Sequence, residues 1–253
     1  MIGGGWLSPA WELALSAIIP AALAILILLA EQRGPLAAPI QACKGLVPAY
    51  VPAIAVVFGL FAALLASDAW QKDTLARRIL GDEVDAARVI AQFSRAAGID
   101  GQVLPKLKAY LEASSKEKHY TPTAEAARAV TEKAYEELLA VVLRTPLADA
   151  SRPALVKGVS DLKRAHDDRF YLAADRTVPI KWLAIVVFGA LTQIALMLVH
   201  VGQRNHMRVV VGLFTVTFAA CLIVVSIFDT PFDRILFDEP AASIGEVLKT
   251  LGQ

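Results

Sequence analysis

Recognisable chemistry is the first thing this sequence lacks. No Gly-rich phosphate loop, Cys-x-x-Cys pair, His-Glu-x-x-His or Gly-x-Ser-x-Gly pattern occurs, so there is no nucleotide cradle, zinc framework or nucleophile elbow to build on. Cysteine is scarce: Cys43 precedes one apolar run and Cys221 lies inside another, which excludes a disulfide framework and leaves both as packing residues. The net charge of +1 supplies no basic field for nucleic acid. One local absence decides most. Charged side chains are missing from Leu13–Ala30, Gly45–Ser67, Trp182–Val199 and Val209–Phe228, runs of 18, 23, 18 and 20 residues.

At about 1.5 Å of helix rise per residue, such runs span roughly 27–35 Å, the thickness of a hydrocarbon core. Lipid offers no water to peptide groups, so runs of this length must be helices. The mean hydropathy of +0.53 agrees. Residues 1–12 carry no Lys or Arg, and the first run is longer than a leader's apolar core, so it reads as a permanent span. Pro20 within it is tolerable where neighbouring helices satisfy the backbone.

Charge is concentrated in Asp68–Lys181, a 114-residue insert holding 19 of the 25 Lys/Arg and 17 of the 24 Asp/Glu. The expected organisation is a transmembrane hairpin (1–67), a helical cytoplasmic insert (68–181), a second hairpin (182–228) and a tail (229–253) with a short amphipathic helix. With four spans, both termini and the insert share one side. Lys72, Arg77, Arg78, Arg169, Arg176, Lys181 and Arg234 lie there, against Arg33, Lys44, Arg204 and Arg208 on the loop side, which places the insert and termini in the cytoplasm. Trp11, Tyr50, Trp70 and Trp182 fall near span ends, as interface anchors do.

Helical periodicity runs through the insert. Leu75, Ile79, Ala86, Ile90 and Phe93 share one face of a helix over 69–97 that Gly98 stops. A second helix covers 102–118, and Thr121-Pro122 opens a third. That third helix carries Ala127, Val130, Ala134, Leu138 and Val141 on one side and the pairs Arg128–Glu132 and Lys133–Glu137 on the other. Ser151-Arg152-Pro153 begins a fourth, running to Thr177. The second and third spans are expected to continue beyond the membrane as long helices. Ser243 and Glu246 form a capping box for a tail helix, 243–251, that lies on the bundle or on the membrane surface. In His166-Asp167-Asp168, the histidine extends the apolar stripe Leu155, Val159, Leu162 and reads as a hydrogen-bonded packing residue. No catalytic residue, cofactor or metal site is expected.

Between their ends the spans hold only Ser, Thr and Gln193 as polar side chains, so one subunit offers no polar path. Conduction would require several copies around an axis. The second span is the candidate lining: Ile54, Phe58, Phe61 and Leu65 share a face able to form a hydrophobic neck, while Ala55, Gly59 and Ala63 form a small-residue ridge for close helix contact.

The layout resembles the bestrophin-like family of membrane proteins over nearly the whole chain. The resemblance rests on Asp68-Ala69-Trp70 followed by Ala76, Glu83 and Ala87; on Arg169-Phe170 and Pro179-Ile180-Lys181-Trp182; on Phe228-Asp229-Thr230-Pro231-Phe232; and on the two-span, insert, two-span order. It implies an all-α membrane protein whose partners are copies of itself, membrane lipid and small inorganic ions. It further implies a pentameric anion channel in the cell's inner or plasma membrane, with Ile54, Phe58, Phe61 and Leu65 in the neck. Asp229, Pro231 and Phe232 would cap the fourth span at its cytoplasmic end, the carboxylate holding a backbone N–H or a basic group such as Lys181. The alternative is a non-conducting scaffold or sensor whose insert binds a protein.

Overall fold

The structure, a computed structural model, describes residues 9–32, 37–43, 48–117, 124–146, 151–175, 179–229, 232 and 239–251. All regular structure among them is helical: α1 (Pro9–Gln32), α2 (Ala37–Ala42), α3 (Val51–Ala96), α4 (Asp100–Ser115), α5 (Ala124–Arg144), α6 (Ser151–Ala174), α7 (Pro179–Val199), α8 (Arg204–Asp229) and α9 (Glu239–Leu251). The chain divides into two compact units. One comprises Pro9–Gln71 and Thr177–Asp229; the other is built on Lys72–Arg176 and Thr230–Gln253.

The first unit contains the apolar helices. Four helices are long and apolar enough to cross a membrane, in segments Leu13–Glu31, Val51–Ala96, Ile180–Val199 and Arg204–Asp229. α1 packs on both α7 and α8, which also pack on each other. One cluster joins Phe58 and Leu65 of α3 to Ile185 of α7 and to Phe218, Leu222 and Val225 of α8. Another joins Ala24 and Ile27 to Met197, Met207 and Val211. Association in lipid draws on close packing, because burying apolar surface gains little where the solvent is itself apolar. Gly189 shows how close the helices come: a Cβ there would lie 2.3 Å from Cζ of Phe218.

The second unit has a water-soluble kind of core. Ile90 of α3, Leu107 and Leu111 of α4, Leu138 and Val142 of α5, and Leu155, Val159 and Leu162 of α6 are all buried together. Gly98 stops α3 as expected. It takes φ +69°, its N–H bonds to Arg95 O and that of Ile99 bonds to Ser94 O, the reciprocal closure of a Schellman motif.

Several expectations are corrected. α3 runs unbroken for 46 residues, so the second span does continue as a long helix, but the third does not. α6 ends at Ala174 and α7 starts at Pro179, whose ring disfavours helix in the residue before it. On α3 the buried stripe includes Ala76, Ile79, Ala87 and Ile90, leaving Leu75 and Phe93 exposed; on α5, Val130 is exposed while Leu138 and Val142 are buried. α4 begins two residues earlier than expected, at Asp100. The Thr121-Pro122 start lies outside the described residues. α9 begins at Glu239, so Ser243 sits within the helix rather than at its cap. Its Ile244 and Val247 enter the insert core, which places the tail helix on the bundle.

The Gly189 contact gives a direct test. Gly189→Ala should force α7 and α8 apart and cost about 1–3 kcal/mol, the usual penalty of overpacking. Thermal unfolding of purified full-length protein in detergent measures it, and an unchanged midpoint would contradict the packing described.

Candidate functional site

The second span, expected to line an axis, is the least covered of the four. Within its own subunit 11% of its apolar window is buried, against 22%, 33% and 28% for the others. Its inner face is well packed. Phe58 makes edge contacts with the rings of Phe214 (5.3 Å between centroids) and Phe218 (5.4 Å), and Leu65 is buried in the same cluster. Phe61 stacks on Phe188 at 4.7 Å. Ile54 is half-buried, as is Ala55. Three of the four expected neck residues therefore meet side chains of α7 or α8. The outer face carries Val56, Leu60 and Leu64, which are 68%, 58% and 55% exposed. Of the expected ridge, Gly59 and Ala63 are open on this side, with nothing within 4 Å of where a Cβ on Gly59 would stand.

At one end of these helices, residues of three of the short sequence motifs meet. Asp68 of α3 forms an ion pair with Lys181 of α7. The Trp70 ring lies 5.8 Å from that of Phe228 on α8. Asp229, expected to hold a backbone N–H or a basic group such as Lys181, is buried at the end of α8, and Lys181 pairs with Asp68. Pro231 lies outside the described residues. Phe232 belongs to the other unit, within which it is buried against Ala76, Ile79, Leu80, Leu172 and Ala173.

Gln193 is the polar tie within the apolar helices. Its Nε2 donates to Pro20 O of α1 at 3.2 Å and to Thr215 Oγ1 of α8 at 2.9 Å, so one amide on α7 joins three helices. Such bonds in membranes average about 0.6 kcal/mol. The sequence exposes this residue as a lone amide in a charge-free run but does not say what it bonds.

In the insert, two more motif residues come together at a buried charge cluster. Arg169 of α6 is 1% exposed and pairs through Nη1 with Glu83 Oε2 of α3 at 3.2 Å. Its Nη2 reaches Glu117 Oε2 at 3.1 Å and donates to Ser114 Oγ at 2.8 Å. Ser114 in turn donates to Glu83 Oε1 at 2.7 Å. His166 Nδ1 lies 3.3 Å from Arg169 Nη2; a guanidinium can only donate, so Nδ1 accepts and the ring proton sits on Nε2, which is 3.7 Å from Glu117 Oε2. The histidine is thus buried and hydrogen-bonded, as expected. Asp167 pairs instead with Lys163, and Asp168 is exposed.

Burial alone would lower the pKa of Arg169, but Glu83, Tyr110 and Glu117 raise it above the usual value, so the guanidinium stays charged. Burial, with Glu83 beside it, pushes the Tyr110 phenol well up. Around this cluster the surface pairs are tertiary: Glu137 takes Lys106 (2.9 Å) and Glu132 takes Lys163 (2.7 Å), in place of the expected pairs along α5. Arg128 lies over the Phe170 ring at 3.9 Å. No group of three or more His, Cys, Asp or Glu side chains converges as for a metal ion among the described residues.

The family described as Bestrophin-like domain matches residues 18–236. No curated protein matches by sequence. Among solved structures, the chain resembles a bacterial bestrophin homologue from Klebsiella pneumoniae, at 15% identity, over 97% of this chain and 99% of that one, with a TM-score of 0.70. A mutant of the same homologue matches at 14% identity, 97% and 99% coverage and a TM-score of 0.68. A structure described only as a membrane protein matches at 16% identity, 95% and 96% coverage and a TM-score of 0.70. These likenesses establish the fold.

Removing the Arg169 side chain would leave two buried carboxylates facing each other. Arg169→Met should therefore cost about 3–5 kcal/mol, as loss of one partner of a buried ion pair does. Adding Glu83→Gln and Glu117→Gln to that variant should recover much of the loss. Denaturant midpoints of the single and triple variants check both statements.

Proposed function

The chain belongs to the bestrophin-like family of integral membrane proteins, and on that premise we propose that it assembles into a closed ring of copies, a pentamer, that conducts small inorganic anions. The observation that carries this reading is the second span, which its own subunit covers least. Lipid tails would cover such an apolar face equally well, so a ring rests on close packing between copies rather than on apolar burial. Gly59 and Ala63 on the open side let a neighbouring helix approach closely.

The neck then forms from the outer stripe Val56, Leu60 and Leu64, spaced one helical turn apart. Five such stripes around an axis make a narrow apolar constriction that gates by dewetting. Phe58, Phe61 and Leu65 take the supporting role behind it, fixing the span against α7 and α8. Ile54 stands at the edge between the two faces. In this reading the insert and both termini are cytoplasmic.

Native mass spectrometry of purified protein in nanodiscs gives the subunit count. A ring of five supports the channel; a monomer or dimer removes the axis on which it depends and favours a non-conducting scaffold. Flux across liposomes then separates the two faces of the span. Leu60→Ser should raise anion flux several-fold by wetting the neck, with the unfolding midpoint little changed. Phe58→Ala should instead destabilise the fold by about 3–5 kcal/mol, as for a buried Phe. The reverse pattern would put Phe58 on the axis and Leu60 in the packing.

A further inference from the structure

The two segments joining the spans, Glu31–Lys44 and His200–Arg208, carry four Lys/Arg, two His and a single acid, Glu31. The structure withdraws that acid from solvent. The Glu31 side chain is 2% exposed, its Oε1 accepts from Gln41 Nε2 at 3.1 Å, and Oε2 lies 4.0 Å from Arg204 Nε. Arg204 remains 62% exposed, and Arg208, one turn further along α8, is also exposed. The solvent-facing charge at this end of the unit is therefore positive.

What lies beside the two arginines points to an amphipathic ligand. Arg208 is the last charged residue before the charge-free run of α8, so its guanidinium stands at the boundary between polar and apolar surface. Immediately beyond it, Val209, Leu213 and Val216 form an outward stripe, 69%, 70% and 67% exposed. Gly212, one turn from Arg208 on the same flank, is exposed and has nothing within 4 Å of a built Cβ, leaving a shallow gap in the helix surface. A free anion uses only the cations. A phospholipid uses both parts, its phosphate on the arginines and an acyl chain along the gap and the stripe.

We propose that Arg204 and Arg208, with the apolar stripe of α8 beside them, form a binding surface for an anionic phospholipid. The arginines donate to the headgroup phosphate, and Val209, Leu213 and Val216 flank the acyl chain over Gly212. Cations at the headgroup level each contribute about 1 kcal/mol to attraction of anionic lipid, about five-fold in affinity. The proposal needs residence in a membrane but not conduction, so it stands or falls separately from the channel.

The test is native mass spectrometry of the full chain in mixed micelles of phosphatidylglycerol and phosphatidylcholine with identical acyl chains. Wild type should retain phosphatidylglycerol preferentially, and Arg204→Gln with Arg208→Gln should reduce that preference about twenty-five-fold, two charges at about five-fold each. If the double variant does not fold, Arg208→Gln alone carries the test, with about a five-fold loss expected. Gly212→Leu, which fills the gap and keeps both charges, should also lower lipid retention. An unchanged preference in the arginine variants overturns the proposal. So does a silent Gly212→Leu combined with full displacement of the lipid by inorganic phosphate, which would reduce the surface to a free-anion patch.

Discussion

A peptide group in hydrocarbon has nothing to bond with except another peptide group or a neighbouring side chain, and the apolar half of this protein is organised by that constraint. It turns four charge-free runs into helices before any tertiary contact is considered. It also decides what can hold those helices together. Apolar burial gains little among lipid tails, so cohesion falls to shape and to a few polar ties. The Phe218 ring laid against Gly189 supplies the first. Gln193, bonded to Pro20 O and to Thr215, supplies the second, and it bonds the backbone next to the place where a proline removes a donor from α1.

The insert answers to different physics, because water is its solvent and apolar burial drives its core. Its polar centre is correspondingly unusual. Arg169, Glu83 and Glu117 are removed from water together, at a desolvation cost that a hydrophobic core of the same volume would avoid. What the cluster gains is definition. A guanidinium with one carboxylate on each side, a serine bridging and a histidine accepting fixes α3, α4 and α6 in a single arrangement. Leucines alone would allow sliding between helices; directional bonds do not.

α3 belongs to both regimes. Its apolar half is open to neighbours along Val56, Leu60 and Leu64, and its insert half enters the soluble core through Ala87 and Ile90 and the ion cluster through Glu83. Its 46 residues form one unbroken helix.

The sequence by itself determined the four spans, the helical insert, the stop at Gly98 and the family, since hydropathy, period and short motifs are local properties of the chain. It also named Asp68, Trp70, Glu83, Arg169, Lys181 and Phe228 as motif residues, without saying that they meet as Asp68–Lys181, Trp70–Phe228 and Glu83–Arg169. Those partnerships join residues from about 86 to 158 positions apart, and nothing in a one-dimensional pattern ranks one distant partner over another. The same gap misassigned Glu132 and Glu137, whose lysines come from α6 and α4 rather than from the next turn. It also put Ile54, Phe58, Phe61 and Leu65 on the open face of the second span, whereas the structure packs Phe58, Phe61 and Leu65 against α7 and α8. Both faces are apolar, so composition is silent, and only the positions of Phe214, Phe218 and Phe188 turn Phe58 and Phe61 inward and leave Leu60 outside.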